Sequence, residues 1–327
     1  MDDNYEFKSC FAVYINQLIS KKHNEGFLYD TSKYILTRFD RFCLEKEISE
    51  AVVTKELVSN WGIKREQESK STLGSRLSVL RQLSLYMCSL GIDCYIPSGF
   101  TAKSHTLAYV LTEDEIKAFF NQVDSNVSKI NADRFNRLVM EYKVLFRMIF
   151  CCGLRVSEAR KLSMSDVDFS NGKAIIRQSK GRKDRIVFLP KDLCVISQEY
   201  LLLLGKRYGI KSELLFPAAD PQKAFQVASI NKKFHDFWDR TIYSEKSAKV
   251  PTVHSLRHSF VVIRMNKWME NDIGLNGMLP YLSKYLGHTS VEDTFYYYHQ
   301  IESAFRIVRM KDTTSNAIIP EVIRDET

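Results

Sequence analysis

Arg155, Lys180, His254, Arg257 and His288 are cationic or proton-carrying side chains dispersed through the C-terminal two-thirds of the chain. A tyrosine run, Tyr296-Tyr297-Tyr298, follows the last of them closely. Together these types suit one chemical object, a phosphodiester whose charge is held while a nucleophile attacks it. Paired arginines stay charged and can each make bidentate bonds to phosphate oxygens, so they stabilise the charge that develops in the transition state. A lysine or histidine beside the leaving oxygen can supply its proton. A tyrosine can attack phosphorus, and the phosphodiester it forms stores the energy of the broken bond, so rejoining needs no nucleotide cofactor.

The local spacing fits that chemistry. His254 and Arg257 lie three apart, which on a helix places both on one face and within reach of the same phosphate. His258 stands four residues after His254, and an i,i+4 histidine pair can bind zinc. No glutamate follows His254 as it would in His-Glu-x-x-His, so a metal site is not expected. His-x-x-Arg by itself is a weak pattern. Its specificity comes from Arg155 far upstream and from Leu286-Gly287-His288 with the tyrosines downstream. No phosphate-cradling glycine loop with a Gly-Lys-Ser/Thr ending is present, and no cluster of acids suggests a two-metal nuclease. Neither a cofactor nor a metal is expected.

These residues need elements to position them. The chain has 327 residues, long for one domain and comfortable for two, with 45% hydrophobic and 26% charged residues, ordinary for a globular protein. Its net charge of +8 leans toward a polyanionic partner, and equally fits a basic solvated surface. Seven cysteines at irregular spacings read as reduced thiols of a cytoplasmic protein. The acidic N-terminus does not resemble a signal peptide, no run has the length of a membrane span, and no membrane association is expected.

Apolar spacing predicts helices over residues 4–22, 30–46, 53–62 and 71–90. The region from 69 to 92 has no acid but carries Lys70, Arg76 and Arg81. Such a one-signed polar face suits DNA, and it equally suits an ordinary bundle helix with scattered arginines. Composition then shifts over 91–107, which reads as a linker (101–109), with domains at 1–100 and 110–327. Thr112 with Glu115 three residues on predicts a capped helix start. The second domain reads as mainly helical with a small β insertion: a helix over 138–152 ending at Gly153, a helical stretch at 157–162, and short strands at 173–177 and 185–189 flanking the Ser179-Lys180-Gly181-Arg182-Lys183 turn. Helices are expected over 191–205, 229–241, 255–270 and 280–286, with a loop over 271–277.

Gly153-Leu154-Arg155-Val156-Ser157-Glu158, His254-Ser255-Leu256-Arg257-His258 and Leu286-Gly287-His288 resemble the arginine and histidine boxes of the tyrosine recombinases, or phage-type integrases, of the two-domain Xer or transposon-integrase kind. The likeness covers about residues 110–305 by motif. It implies Arg155 and Arg257 as phosphate clamps, His254 as the proton-handling histidine and His288 as a hydrogen-bond partner of the phosphate. It implies Lys180, in the hairpin, as general acid, with Lys183 as a rival. The nucleophile of family members usually lies nine residues past the last histidine, which selects Tyr297, with Tyr296 and Tyr298 as alternatives. Arg182 and Lys183 join Lys70, Arg76 and Arg81 as candidate DNA contacts.

The resemblance further implies a helical core-binding domain and a mixed α/β catalytic domain that close on DNA as a C-shaped clamp. It implies four protomers on two double-stranded sites, with or without a partner recombinase, working through a 3′-phosphotyrosyl link and a Holliday junction. An apolar tail, Ile318-Ile319-Pro320-Glu321-Val322-Ile323, would dock on a neighbouring protomer. The expected role is integration or excision of a mobile element. Resolution of chromosome or plasmid dimers is the alternative, a monomeric type IB topoisomerase is a rival with the same chemistry, and a non-cleaving DNA-binding accessory protein is the rival of another class.

Overall fold

The computed structural model describes residues 5–98, 108–127, 133–177, 184–207, 209–247, 249–288 and 290–294. The expected hairpin tip with Lys180, Arg182 and Lys183, the run Tyr296-Tyr297-Tyr298, most of the expected linker and the apolar tail lie outside the described residues. The chain divides into two units, Met1–Thr106 and Leu107–Thr327. Among the described residues no helix is long and apolar enough to cross a membrane.

The first unit is four helices: α1 (Ala12–Asn24), α2 (Asp30–Glu45), α3 (Lys55–Trp61) and α4 (Lys70–Ser89). Phe11, Phe39 and Trp61 meet at its centre with ring centroids 5.3 Å apart in both neighbouring pairs. Thr54 and Ser69 cap α3 and α4 by accepting from Leu57 and Thr72 N–H, each at 3.0 Å. Helix α1 begins eight residues later than its apolar spacing predicts. Asp40, buried on α2, accepts from Lys8 N, Ser9 N and Ser9 Oγ at 2.6–3.0 Å and from Tyr5 Oη at 2.8 Å. A carboxylate from another helix thus holds the segment before α1 in a non-helical course.

Arg76 corrects an expectation. It is not on a DNA-facing surface but 2% exposed inside the unit. Its guanidinium donates to the carbonyls of Trp61 (2.6 Å) and Ile63 (3.1 Å) and to Glu68 Oε2 (2.7 Å), and so staples the α3–α4 connection to α4. Lys70 is exposed, and Arg81 donates to the carbonyl of Pro97.

The second unit is built on α5 (Glu113–Asp124), α6 (Asp133–Cys152), the short α7 (Val156–Ala159), α8 (Lys191–Leu202), α9 (Val227–Trp238), α10 (Val253–Glu270) and α11 (Leu275–Leu286). Strands β1 (Val167–Asp168), β2 (Lys173–Ile176) and β3 (Arg185–Phe188) form an antiparallel sheet in that order. Thr112 and Glu115 form the reciprocal capping box at the start of α5. Val144, Leu145, Phe146, Met148 and Ile149 of α6 are fully buried, so its C-terminal half carries the unit's core. Phe119, Phe234 and Phe237 pack around Phe146.

Helix α11 starts inside the expected 271–277 loop, and Pro280 lies within the helix rather than at its first turn. Leu279, Leu282 and Leu286 are buried against Phe260, Val261 and Met265 of α10. That packing outweighs the poor helix propensity of Gly277 and Pro280.

Candidate active site

The site grows from two helix ends. Helix α6 stops at Gly153, whose φ of +62° only glycine adopts without strain, and Leu154 N–H returns to the carbonyl of Ile149 at 3.2 Å. Helix α11 stops in the same way at Gly287, φ +67°, with His288 N–H returning to the Ser283 carbonyl at 3.0 Å. Each ending leaves carbonyls pointing out of a helix C-terminus, where partial negative charge accumulates and cations are favoured.

The two arginines occupy those ends. Arg257, in the second turn of α10 and 1% exposed, donates to Gly153 O at 2.6 Å and to Leu286 O at 2.7 Å. Its Nη2 also donates to His288 Nε2 at 3.1 Å. Arg155, at the N-cap of α7, donates to Gly287 O at 2.9 Å. The packing behind them is tight: a Cβ on Gly153 would stand 2.6 Å from Phe260 Cδ1.

Glu158 binds the cluster together. Its Oε1 accepts from Arg155 Nη1 at 2.8 Å and Arg185 Nη1 at 2.9 Å. Its Oε2 accepts from the backbone N–H of Arg155 at 2.8 Å and from Arg185 Nη2 at 2.7 Å, with Arg257 Nη1 at 3.8 Å. Three guanidiniums around one carboxylate leave an excess of two positive charges, suited to a phosphoryl group gaining negative charge in its transition state.

His254 opens α10, and its ring stands 4.4 Å, centroid to centroid, from that of His258, edge to face. All three histidines are held neutral. Burial and then Arg257 and Arg155 lower His254 to about 4. The residue is exposed, so solvent tempers the burial contribution, but the guanidiniums act in the same direction. Burial first, then His254 and Arg257, lower His258 to about 3, and burial first, then Arg257 and Arg155, lower His288 to about 3. Because a guanidinium can only donate, His288 Nε2 is the acceptor, and the ring proton sits on Nδ1, 2.6 Å from Thr294 Oγ1.

The structure therefore brings Arg155, His254, Arg257 and His288 together from three segments. Lys180 and Tyr297, with Arg182 and Lys183, lie outside the described residues. His288 was expected to address a phosphate. Its Nε2 instead engages Arg257 and its Nδ1 engages Thr294, so in this arrangement it orients the arginine. Glu158, Arg185 and Thr294 were not singled out by their sequence context. An acid three residues into a helix start is a capping signal and pointed to Glu158, while the other two show themselves only through contacts distant in sequence. Among the described residues no group of three or more His, Cys, Asp or Glu could hold a metal ion.

A family model described as the phage integrase family matches residues 109–303. The chain is 26% identical over 321 residues to the tyrosine recombinase XerC of Halalkalibacterium halodurans, covering 93% of this chain and 96% of that one. Among solved structures, the XerH site-specific recombinase bound to palindromic difH substrate in a post-cleavage complex superposes with a TM-score of 0.64 at 19% identity, over 91% of this chain and 83% of that one. The Tn1549 transposon integrase in complex with transposon right end DNA superposes with a TM-score of 0.62 at 15% identity, over 92% of this chain and 99% of that one. Both have the fold seen here.

Proposed function

Because the chain belongs to the phage integrase family, the tyrosine recombinases, whose members cut and rejoin DNA at specific sites, we propose that Tyr297 is its nucleophile and that Arg155 and Arg257 hold the scissile phosphate. The observation that carries this reading is the seating of both arginines on the C-terminal ends of α6 and α11, where Glu158 and His288 fix their direction. A clamp whose donors are already oriented needs little reorganisation when charge develops.

The step runs as follows. The oxygen of Tyr297 forms a bond to phosphorus while the bond from phosphorus to the 5′-oxygen breaks. The tyrosine proton passes to His254, which is neutral near pH 7 and so able to accept it. Lys180 gives a proton to the departing 5′-oxygen. The products are a 3′-phosphotyrosyl link and a free 5′-hydroxyl. Attack on that link by the 5′-hydroxyl of a partner strand reverses every bond change and returns both protons. Two such rounds, by four protomers on two duplex sites, pass through a Holliday junction. Likeness to a transposon integrase favours integration or excision of a mobile element, and likeness to XerC along nearly the whole chain favours dimer resolution. We place the protein with the first.

The test is a suicide duplex, nicked beside the scissile phosphate and built from DNA flanking the gene. Wild type is expected to form a denaturant-resistant protein–DNA adduct that Tyr297→Phe does not form. An adduct that persists in Tyr297→Phe moves the nucleophile to Tyr296 or Tyr298. Tight binding of wild type to this DNA without any adduct would support a non-cleaving accessory protein.

A further inference from the structure

Arg185 lies outside the three arginine and histidine boxes, yet its side chain donates twice to Glu158 and once to the carbonyl of Tyr285. It is the first residue of β3, opposite Ile176 at the end of β2, and β2 and β3 are the strands on either side of Lys180 in the sequence. Its side chain leaves the sheet and reaches two other segments. Nη1 and Nη2 form a two-pronged pair with Glu158 at 2.9 and 2.7 Å, and Nε donates to the carbonyl of Tyr285 at 2.7 Å. Glu158 in turn holds Arg155, and Tyr285 is three residues before His288. One planar group thus links the hairpin, the first arginine and the turn that presents the last histidine, and it is largely buried while doing so.

We propose that Arg185 is a positioning residue: by anchoring the start of β3 to Glu158 and to the Tyr285 carbonyl, it fixes the strand that follows Lys180 in sequence relative to the arginine clamp, as proton delivery by Lys180 to the departing 5′-oxygen requires. The fork geometry is essential. A lysine at 185 keeps the charge but is a point donor that cannot span Glu158 and the Tyr285 carbonyl together. This inference rests on the assignment of Lys180 as general acid.

A substrate whose bridging 5′-oxygen is replaced by sulfur separates this role from a structural one, because a thiolate leaves without needing a proton. The suicide duplex is made in both forms, and single-turnover cleavage by the full chain is followed for wild type, Arg185→Lys, Arg155→Lys and Lys180→Ala. With the oxygen substrate, Arg185→Lys is expected to cleave about 10²-fold slower than wild type, the low end of what a positioned general acid contributes. With the sulfur substrate it is expected to approach the wild-type rate, as Lys180→Ala does, which also shows that the variant is folded. Arg155→Lys is expected to remain slow on both. Equal losses for Arg185→Lys on both substrates, or no loss on either, overturn the proposal. If sulfur restores neither Lys180→Ala nor Arg185→Lys, the general-acid assignment fails first and the positioning role fails with it. If sulfur restores Lys180→Ala alone, only the role of Arg185 falls.

Discussion

Arg257 Nη2 donates to His288 Nε2 at 3.1 Å, and that bond decides where the imidazole keeps its proton. The proton must sit on Nδ1, facing Thr294 Oγ1 at 2.6 Å. Thr294→Val removes the acceptor while keeping the shape of a fully buried side chain. The Nδ1 proton then has no acceptor, which opposes the tautomer that Arg257 imposes and weakens Arg257's hold on its partner. Cleavage is expected to slow about tenfold, the equivalent of one neutral hydrogen bond of about 1.4 kcal/mol, with the thermal midpoint little changed. Wild-type cleavage by Thr294→Val would mean that the tautomer is not used.

The two arginines proposed as the clamp differ in what they do for the fold. Arg257 is sealed between two helix ends, whereas Arg155 is partly open to solvent. Arg257→Lys leaves at least one buried carbonyl without its donor, so it is expected to lower both adduct yield and the urea midpoint. Arg155→Lys is expected to lower adduct yield alone. The cleavage loss in each is expected to be about 10²–10³-fold, by analogy with removal of one oxyanion donor. Near-normal cleavage by either variant removes that arginine from the clamp.

Gly153 offers a test of the scaffold. Alanine there is expected to cost about 1–2 kcal/mol for the left-handed backbone and about 1–3 kcal/mol more for crowding Phe260. Phe260→Leu in the same chain is expected to relieve the second cost and leave the first. Denaturant unfolding of the single and double variants checks this, and additive losses would show that the contact with Phe260 is not the cause.

The histidines predict how stability responds to acid. Each is depressed in the folded chain, His254 to about 4 and His258 and His288 to about 3, from an ordinary value of 6.5. Above pH 6.5 both states are neutral and nothing is lost. Below it the unfolded chain takes up protons that the folded chain refuses, so stability falls as pH drops from 6.5 toward 3. Thermal midpoints between pH 7 and 4 are expected to fall less steeply for His258→Asn than for wild type. Superimposed curves would show that His258 does not resist protonation.

Asp40 carries a prediction for the first unit. Asparagine at this position turns one acceptor into a donor, which then faces Tyr5 Oη and Lys8 N–H. The loss is expected to be about 1–3 kcal/mol for a buried donor left unmatched. Faster hydrogen exchange over residues 5–11 would locate it, and unchanged exchange there would refute it.

Much of the helical plan was legible because amphipathic spacing is local. Residues 30–46 and 53–62 contain the helices found there, 71–90 matches α4 to within one residue at each end, and Thr112 with Glu115 announced α5. Where a distant partner decides, local reading failed. The start of α1 is set by Asp40 from α2, the start of α11 by leucines packing on α10, and the buried state of Arg76 by the carbonyls of Trp61 and Ile63. Strand β1 has only two residues, too few for any alternation to show. In the site, the residue types named a chemistry, and three boxes located most of the charged groups. Arg185 escaped because an arginine opening a strand acquires meaning only when residues 27 apart in sequence meet, and the local cap at Glu158 did not announce its bonds to Arg185.

The seating of Arg257 has a consequence for the life of the protein in a cell. Its two carbonyl partners lie 104 residues before it and 29 residues after it. A nascent chain still on the ribosome, or one broken before Leu286, holds the arginine but lacks the helix end that aims it. On the proposed role of Arg257, cleavage is expected only once the second unit has folded as far as Leu286, and local unfolding of α11 is expected to abolish it.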